Sequence, residues 1–224
     1  MVSAPVRGKR KGKDEALSGA EAGKNFFWGK PAAASSVKEA KSLLREKFHA
    51  QRIRLSKKDV EEKSAKILEN LFLLPEISRA KNVGCYISFN NEVFTRAIID
   101  KLWKDGKKVF VPVMDSREKG FHFAQIKSFD GLKKNSYGIL EPESVKIFPP
   151  EKIDAFIVPG LAFDLRGARI GWGQGFYDRF FSNAEIKGAR IGIAFDFQLI
   201  EELPCAGHDA KMDLIVTEKR VVRA

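Results

Sequence analysis

The chain lacks a run of 18 apolar residues, so it offers no membrane span. It has two cysteines, Cys85 and Cys205, far apart and outside any CxxC pattern. That excludes a disulfide framework and a cysteine zinc site, and it suits a reducing, cytoplasmic compartment. Three histidines, His49, His122 and His208, stand without a partnered ligand motif. No internal repeat is present. No glycine-rich stretch ends in the Gly-Lys-Ser/Thr of a Walker A loop, and none has the third-glycine spacing of a dinucleotide fingerprint.

What remains is a chain of 224 residues, 44% hydrophobic and 31% charged. This is ordinary for a globular protein and large enough for a real core. Its net charge of +11 is the unusual value. A basic surface favours nucleic acid, anionic lipid or small polyanions such as nucleotides and polycarboxylates. The excess is uneven. Residues 1–63 hold 16 Lys/Arg against 8 Asp/Glu, a net of +8, while the remaining 161 hold 24 against 21, a net of +3.

Residues 1–35 are rich in Ala, Gly, Lys and Ser, show no period, and are expected to be a disordered basic tail. Within them Phe26-Phe27-Trp28 is too short for a membrane span and follows no signal-peptide core. A polyanion-binding arm, a docking peptide and a transit segment remain alternatives to a solvated tail. Asp14, Glu15 and Glu21 weigh against the transit segment.

A single domain is expected over residues 36–224. Ser36 and Glu39 have capping-box spacing, and Ala40, Leu43, Leu44 and Phe48 follow at helical intervals. Lys38, Lys41 and Arg45 share one face of that helix. Alone, this face reads as solvated. A second helix is expected from Ser56 to before Pro75, and a third over Phe94–Asp105, stopped by Gly106. Strands are expected at Val83–Ser88, Val109–Val113, Phe121–Ala124, Ala155–Val158, Arg190–Phe195 and Leu214–Thr217, with a loop over 138–152. Strands alternating with helices predict a three-layer α/β/α fold: a mostly parallel sheet with helices on both faces and ligands beyond its carboxyl ends.

The informative segment is PGLAFDLRGARIGWGQGFYDRFF, residues 159–181, directly after a buried strand. Gly171, Gly173 and Gly175 let the backbone approach a ligand closely, so that successive amides can converge on an anion. Arg169 offers a planar cation for phosphate or carboxylate. Asp178 is placed to hold Mg²⁺, which takes one or two carboxylates plus phosphate oxygens. Asp154 and Asp164 read as caps or supports of this loop rather than as catalytic groups. Alternate glycines alone are weak evidence, since such turns are common.

With these residues in hand, the chain resembles the 5-formyltetrahydrofolate cyclo-ligase family from about Val37 to about Val221. PGLAFDLRGARIGWGQGFYDR carries most of the resemblance, supported by KSLLR, SFNNEVFT, YGILEP and LPCAGHDAKMDLIVTE. It implies ATP-driven ring closure of 5-formyltetrahydrofolate, through a phosphorylated formyl group, to 5,10-methenyltetrahydrofolate, ADP and phosphate. It implies ATP contacts at Lys41 and Arg45 and along the loop Arg169, Ile170, Gly171, Trp172, Gly173, Gln174, Gly175, Phe176 and Tyr177. It implies folate contacts at Ile87, at Glu92 and at Trp172–Phe176, and Mg²⁺ at Asp178 and Asp209. Arg169 and Asp178 are then the catalytic pair, and Tyr137 is a further candidate beside the folate. The implied partners are ATP and a folate, possibly polyglutamylated, in a cytoplasmic monomer, with nucleic acid and membrane disfavoured. A nucleic-acid module on this fold and a relic site with altered chemistry are the competing readings. Three residues depart from the family's usual choices: Gln174 for a frequent lysine, Phe176 for the first tyrosine of GYYD, and the bulky Trp172 between two glycines.

Overall fold

The computed structural model describes residues 36–115, 120–136, 138–143, 146–183 and 185–224. The expected tail, with Phe26–Trp28, and Tyr137 lie outside the described residues.

The chain opens on helix α1, Val37–Ile53, capped by the Ser36 hydroxyl accepting from the Glu39 amide. Helix α2, Lys57–Phe72, starts with a reciprocal Ser56–Asp59 capping box. A single turn, α3, Pro75–Ser78, leads into strand β1, Asn82–Cys85. Helix α4, Arg96–Lys104, precedes β2, Lys108–Asp115, and β3, Gly120–Ile126. Three short strands follow: β4 Leu132–Lys134, β5 Leu140–Pro142 and β6 Ile147–Phe148. The segment expected as loop over 138–152 thus contains two of them. Strand β7, Ala155–Val158, leads into the hairpin β8, Ala162–Asp164, and β9, Arg169–Ile170. Helix α5, Phe176–Phe181, strands β10 Ala189–Ile193, β11 Leu199–Ile200, β12 Leu214–Val216 and β13 Val221–Arg223 complete the chain.

The main sheet runs β13-β12-β10-β7-β1-β2-β3-β6. Its five central strands are mutually parallel, and β13, β3 and β6 pair antiparallel at the edges. The expected α/β class is therefore met. From β1 the chain proceeds to one neighbour, β2; from β7 it proceeds to the other, β10. Connections leaving adjacent strands in opposite directions open a crevice at their carboxyl ends, where sheets of this kind bind ligands.

Strand alternation divides the core between two faces. Ala155 and Ile157 join Val83, Val109 and Val111 under α2 and α4, through Ile67, Leu71, Ile98 and Leu102. Phe156 and Val158 face the other way, with Phe110, Phe123 and the α5 residue Phe181. A third cluster packs Leu44 and Phe48 of α1 on Leu161, Ala162 and Ile170 of the small hairpin. This cluster carries the basic helix to the glycine segment.

The expected strand Val83–Ser88 ends early, at Cys85, because the chain turns sharply after it. Asn90 and Asn91 have φ of 48° and 56°, a region Asn tolerates better than most residues. Ser88 and Thr95 close this turn, each backbone N–H donating to the other's hydroxyl at 2.9 and 3.2 Å. Asn91 Nδ2 donates to the Leu55 carbonyl at 3.0 Å, tying the turn to the end of α1.

Asp164 supports the loop of residues 159–181, whereas Asp154 supports the entry to β1 instead. Asp154 accepts from the Lys81 and Asn82 amides, both at 2.8 Å. Asp164 is fully buried and accepts from the amides of Arg166, Ala168 and Leu203 at 2.9, 2.8 and 2.9 Å. Replacing it by alanine leaves three backbone donors without their acceptor. Asp164→Ala is expected to cost about 3 kcal/mol or more in urea unfolding; a loss below about 1 kcal/mol would reject its role as the clasp of the hairpin.

Candidate functional site

A cavity of about 1000 Å³ opens at the β1–β7 crevice. Lys41, Arg45, Ile87, Glu92, the loop Arg169–Tyr177, Asp178 and Asp209, all singled out from the sequence, line it, while the further candidate Tyr137 lies outside the described residues. Helix α1 supplies the cations, the turn after β1 supplies Ile87 and Glu92, and the segment after β7 supplies the glycine loop.

Charge in the cavity is paired across distant segments. Lys41 Nζ meets Asp209 Oδ2, and Arg169 Nη2 lies 3.1 Å from Asp178 Oδ1. The Ala210 amide donates to that same Asp178 oxygen at 3.2 Å, so the two aspartate segments touch. Burial raises the Asp209 carboxyl, but the Ala206 amide and Lys41 outweigh it and leave it below its usual range. Arg169 is 8% exposed, and its Nε has no hydrogen-bond partner among the described residues.

The glycine loop is shaped by these cations. Arg45 Nε donates to the Gly171 carbonyl at 3.0 Å. A Cβ on Gly171 would stand 2.6 Å from Arg169 Nη1, so a larger residue would displace the guanidinium. Gly173 has φ +96°, closed in practice to other residues, and its hydrogen faces the Arg45 guanidinium.

The departures in the loop have different physical standing. Trp172 closes over the Glu92 end of the cavity: its ring lies 4.9 Å from His49 and 6.1 Å from Phe89, and the Arg52 guanidinium carbon is 5.4 Å from its centroid. Phe176 keeps a ring beneath the Arg179 guanidinium at 5.3 Å. The Gln174 carbonyl accepts from Arg179 Nη1 at 2.8 Å, while nothing in the structure explains its side chain.

Glu92 is 6% exposed, and its Oε2 accepts from the Phe89 amide at 3.3 Å. Burial pushes its carboxyl up to about 7, against the pull of Arg52, the Phe89 amide and the Trp172 indole N–H. Arg52, 1% exposed, has Nη1 3.6 Å from Glu92 Oε1. Sequence reasoning passed over Arg52, although it lies seven residues after Arg45, on the same stripe of α1. It also passed over Glu141, whose Oε1 accepts from the Met114 amide at 3.0 Å and which lines the cavity. His208, which has no partnered ligand motif in the sequence, lies in a turn before β12 and lines the same cavity. Among the described residues no group of three or more His, Cys, Asp or Glu side chains is arranged for a metal, and no helix is long and apolar enough to cross a membrane.

A parallel-centred sheet with a glycine loop, paired aspartates and converging cations at its switch point defines an α/β protein built to hold a polyanion. The 5-formyltetrahydrofolate cyclo-ligase family model matches residues 37–218. A 5-formyltetrahydrofolate cyclo-ligase of Haemophilus influenzae is 34% identical over 155 residues, covering 67% of this chain and 83% of its own. A probable 5-formyltetrahydrofolate cyclo-ligase of Schizosaccharomyces pombe is 32% identical over 198 residues, covering 82% and 97%. The solved 5,10-methenyltetrahydrofolate synthetase of Aquifex aeolicus superposes with a TM-score of 0.73 at 36% identity, covering 82% of this chain and 92% of that one. The chain belongs to the 5-formyltetrahydrofolate cyclo-ligase family.

The raised Glu92 carboxyl has a consequence for stability. The folded state binds a proton that the unfolded state releases from pH 4.5 upward, so this group's stabilising contribution is complete below pH 4.5 and is lost as pH rises to about 7. The loss is on the order of 3 kcal/mol. Glu92→Gln is expected to flatten that limb of a plot of unfolding free energy against pH. Equal slopes in the two proteins would reject the buried, raised carboxyl.

Proposed function

We infer that the protein is an ATP-dependent 5-formyltetrahydrofolate cyclo-ligase, converting 5-formyltetrahydrofolate to 5,10-methenyltetrahydrofolate with release of ADP and phosphate. The observation that carries this is a family match across the domain coinciding with one cavity that all the implied site residues line.

The chemistry requires two bound substrates in alignment and neutralised phosphate charge, because phosphoryl transfer depends mostly on positioning and electrostatics. In the proposed reaction the formyl oxygen attacks the γ-phosphorus and ADP leaves. The neighbouring nitrogen then attacks the formyl carbon, loses its proton, and phosphate departs. Lys41 and Arg45, with Arg169 and the amides of Gly171–Gly175, bind the phosphates. Gly171 and Gly173 let the backbone and two guanidinium groups crowd the same space. Glu92 accepts hydrogen bonds from pterin N–H groups, with Ile87 against the ring. Trp172, covering Glu92, Phe89 and His49, keeps water from the pterin end.

We propose that Asp178 and Asp209 hold Mg²⁺. The donor set fits the ion: two hard carboxylates in touching segments, with no group of three His, Cys, Asp or Glu ligands among the described residues, suit a cation that completes its shell with phosphate oxygens and water. Bound there, it would neutralise charge on the transferring phosphoryl group. We further propose a cytoplasmic monomer that accepts polyglutamylated folate, with Lys38 at the rim of the cavity supporting the last point. Two free cysteines support a reducing compartment. A relative from Arabidopsis thaliana carries the description mitochondrial.

Purified protein mixed with 5-formyltetrahydrofolate, ATP and Mg²⁺ is expected to generate methenyl product, followed by its near-ultraviolet absorbance. No change in absorbance would overturn the reading. Asp178→Asn is expected to cut turnover about 100-fold or more and to weaken Mg·ATP use beyond folate binding; unchanged turnover would reject its metal role. Removal of residues 1–35 is expected to leave turnover within about twofold, since the implied site residues all lie in the domain. A large loss would make the tail part of the site.

A further inference from the structure

Arg52 is a fully buried cation in the last turn of α1. Among the described residues its Nε and Nη2 have no hydrogen-bond partner, and its one ionic neighbour is Glu92 at 3.6 Å. A guanidinium carries five donors in a rigid fork, so burying it with donors unpaired is a standing cost. Glu92 lines the cavity, whereas Arg52 is absent from its walls. The Trp172 ring covers the guanidinium at 5.4 Å. The arrangement is a sealed positive charge standing behind the carboxylate that faces the ligand.

We propose that Arg52 is a positioning residue for the folate site: without touching substrate, it holds Glu92 ionised and oriented, so that both carboxylate oxygens can accept from the pterin N–H groups. The inference rests on the assignment of Glu92 to the folate. A protonated Glu92 would present a donor where the pterin also presents donors. Burial is the largest influence on Glu92 and favours the neutral acid; Arg52 is the first influence opposing it, ahead of the Phe89 amide and the Trp172 indole. Among the described residues, Arg52 is the one charged group whose field acts on Glu92. Tyr86, from the segment after β1, and Tyr177, from α5, are phenols that burial pushes far above their usual range, and Cys85 at the end of β1 is a thiol that burial pushes up as well. Arg52 is thus the cation opposing neutralisation of Glu92. Its place on α1, whose earlier turns carry Lys41 and Arg45, puts the proposed nucleotide contacts and the support of the folate carboxylate on one rigid rod.

The test reads the Glu92 carboxyl directly, by ¹³C NMR titration of protein labelled at glutamate carboxyls, with the resonance assigned by its loss in Glu92→Gln. In parallel, binding of 5-formyltetrahydrofolate is measured against pH. The wild type is expected to titrate near 7 and its folate affinity to rise with pH through that midpoint. Arg52→Lys should keep the midpoint within about half a unit, whereas Arg52→Met should raise it by about one unit or more. Arg52→Gln, a smaller polar replacement, serves if the methionine variant does not fold. The folate midpoints should move in step. An unmoved Glu92 midpoint in the neutral variants, or a loss of affinity equal at every pH, would reduce Arg52 to a packing residue and overturn the proposal. Separated midpoints in a wild-type protein that binds no folate would instead sink the functional reading, and the folate role of Arg52 with it.

Discussion

Lys41 and Asp209 are 168 residues apart in the chain, and their ion pair closes the site. Helix α1 lies outside the main sheet; it reaches the crevice because Leu44 and Phe48 pack on the β8–β9 hairpin. Once there, its polar stripe meets the turn after β1, the glycine loop after β7 and the segment between β11 and β12. Lys41 takes Asp209, Arg45 takes the Gly171 carbonyl, and Arg52 takes Glu92. One helix thereby fixes three segments that share no sequence neighbourhood. Without it, the glycine loop would keep its turns and Arg169 but lose Arg45.

Charge compensation explains how so polar a cavity survives. A carboxylate in a partly buried site is costly without a partner, and here Asp178, Asp209 and Glu92 each have one. In the proposed reaction, phosphate would take the place of aspartate beside Lys41 and Arg169, and Mg²⁺ would take the place of those cations beside Asp209 and Asp178. Glu92 differs: its cation is sealed, so its ionisation belongs to the fold and stays poised near neutrality.

Much of the architecture was legible because it is local. Capping at Ser36 and Ser56 and the alternation of buried strands depend on neighbours a few residues apart. The Val83–Ser88 strand was overextended because period alone does not reveal that Asn90 and Asn91 turn the chain to cap α1. The β8–β9 hairpin was missed because Asp164, whose buried carboxylate clasps it, reaches to Leu203, 39 residues on. Trp172 looked misplaced by local chemistry and is accounted for by His49, Phe89 and Arg52, all distant in sequence.

The sequence by itself determined the α/β class and the glycine loop, which follow from short-range periodicity and glycine geometry; the roles expected of Lys41, Arg45, Glu92 and Asp209 came only with the family resemblance. Only the tertiary structure decided which charges meet. Pairing energy depends on distance and burial, and both are set by how α1, the β1 turn and the β7 loop converge at the switch point. Arg52 marks that boundary: in the sequence it is one basic residue among many on a helix, and in the fold it is a sealed cation behind a carboxylate.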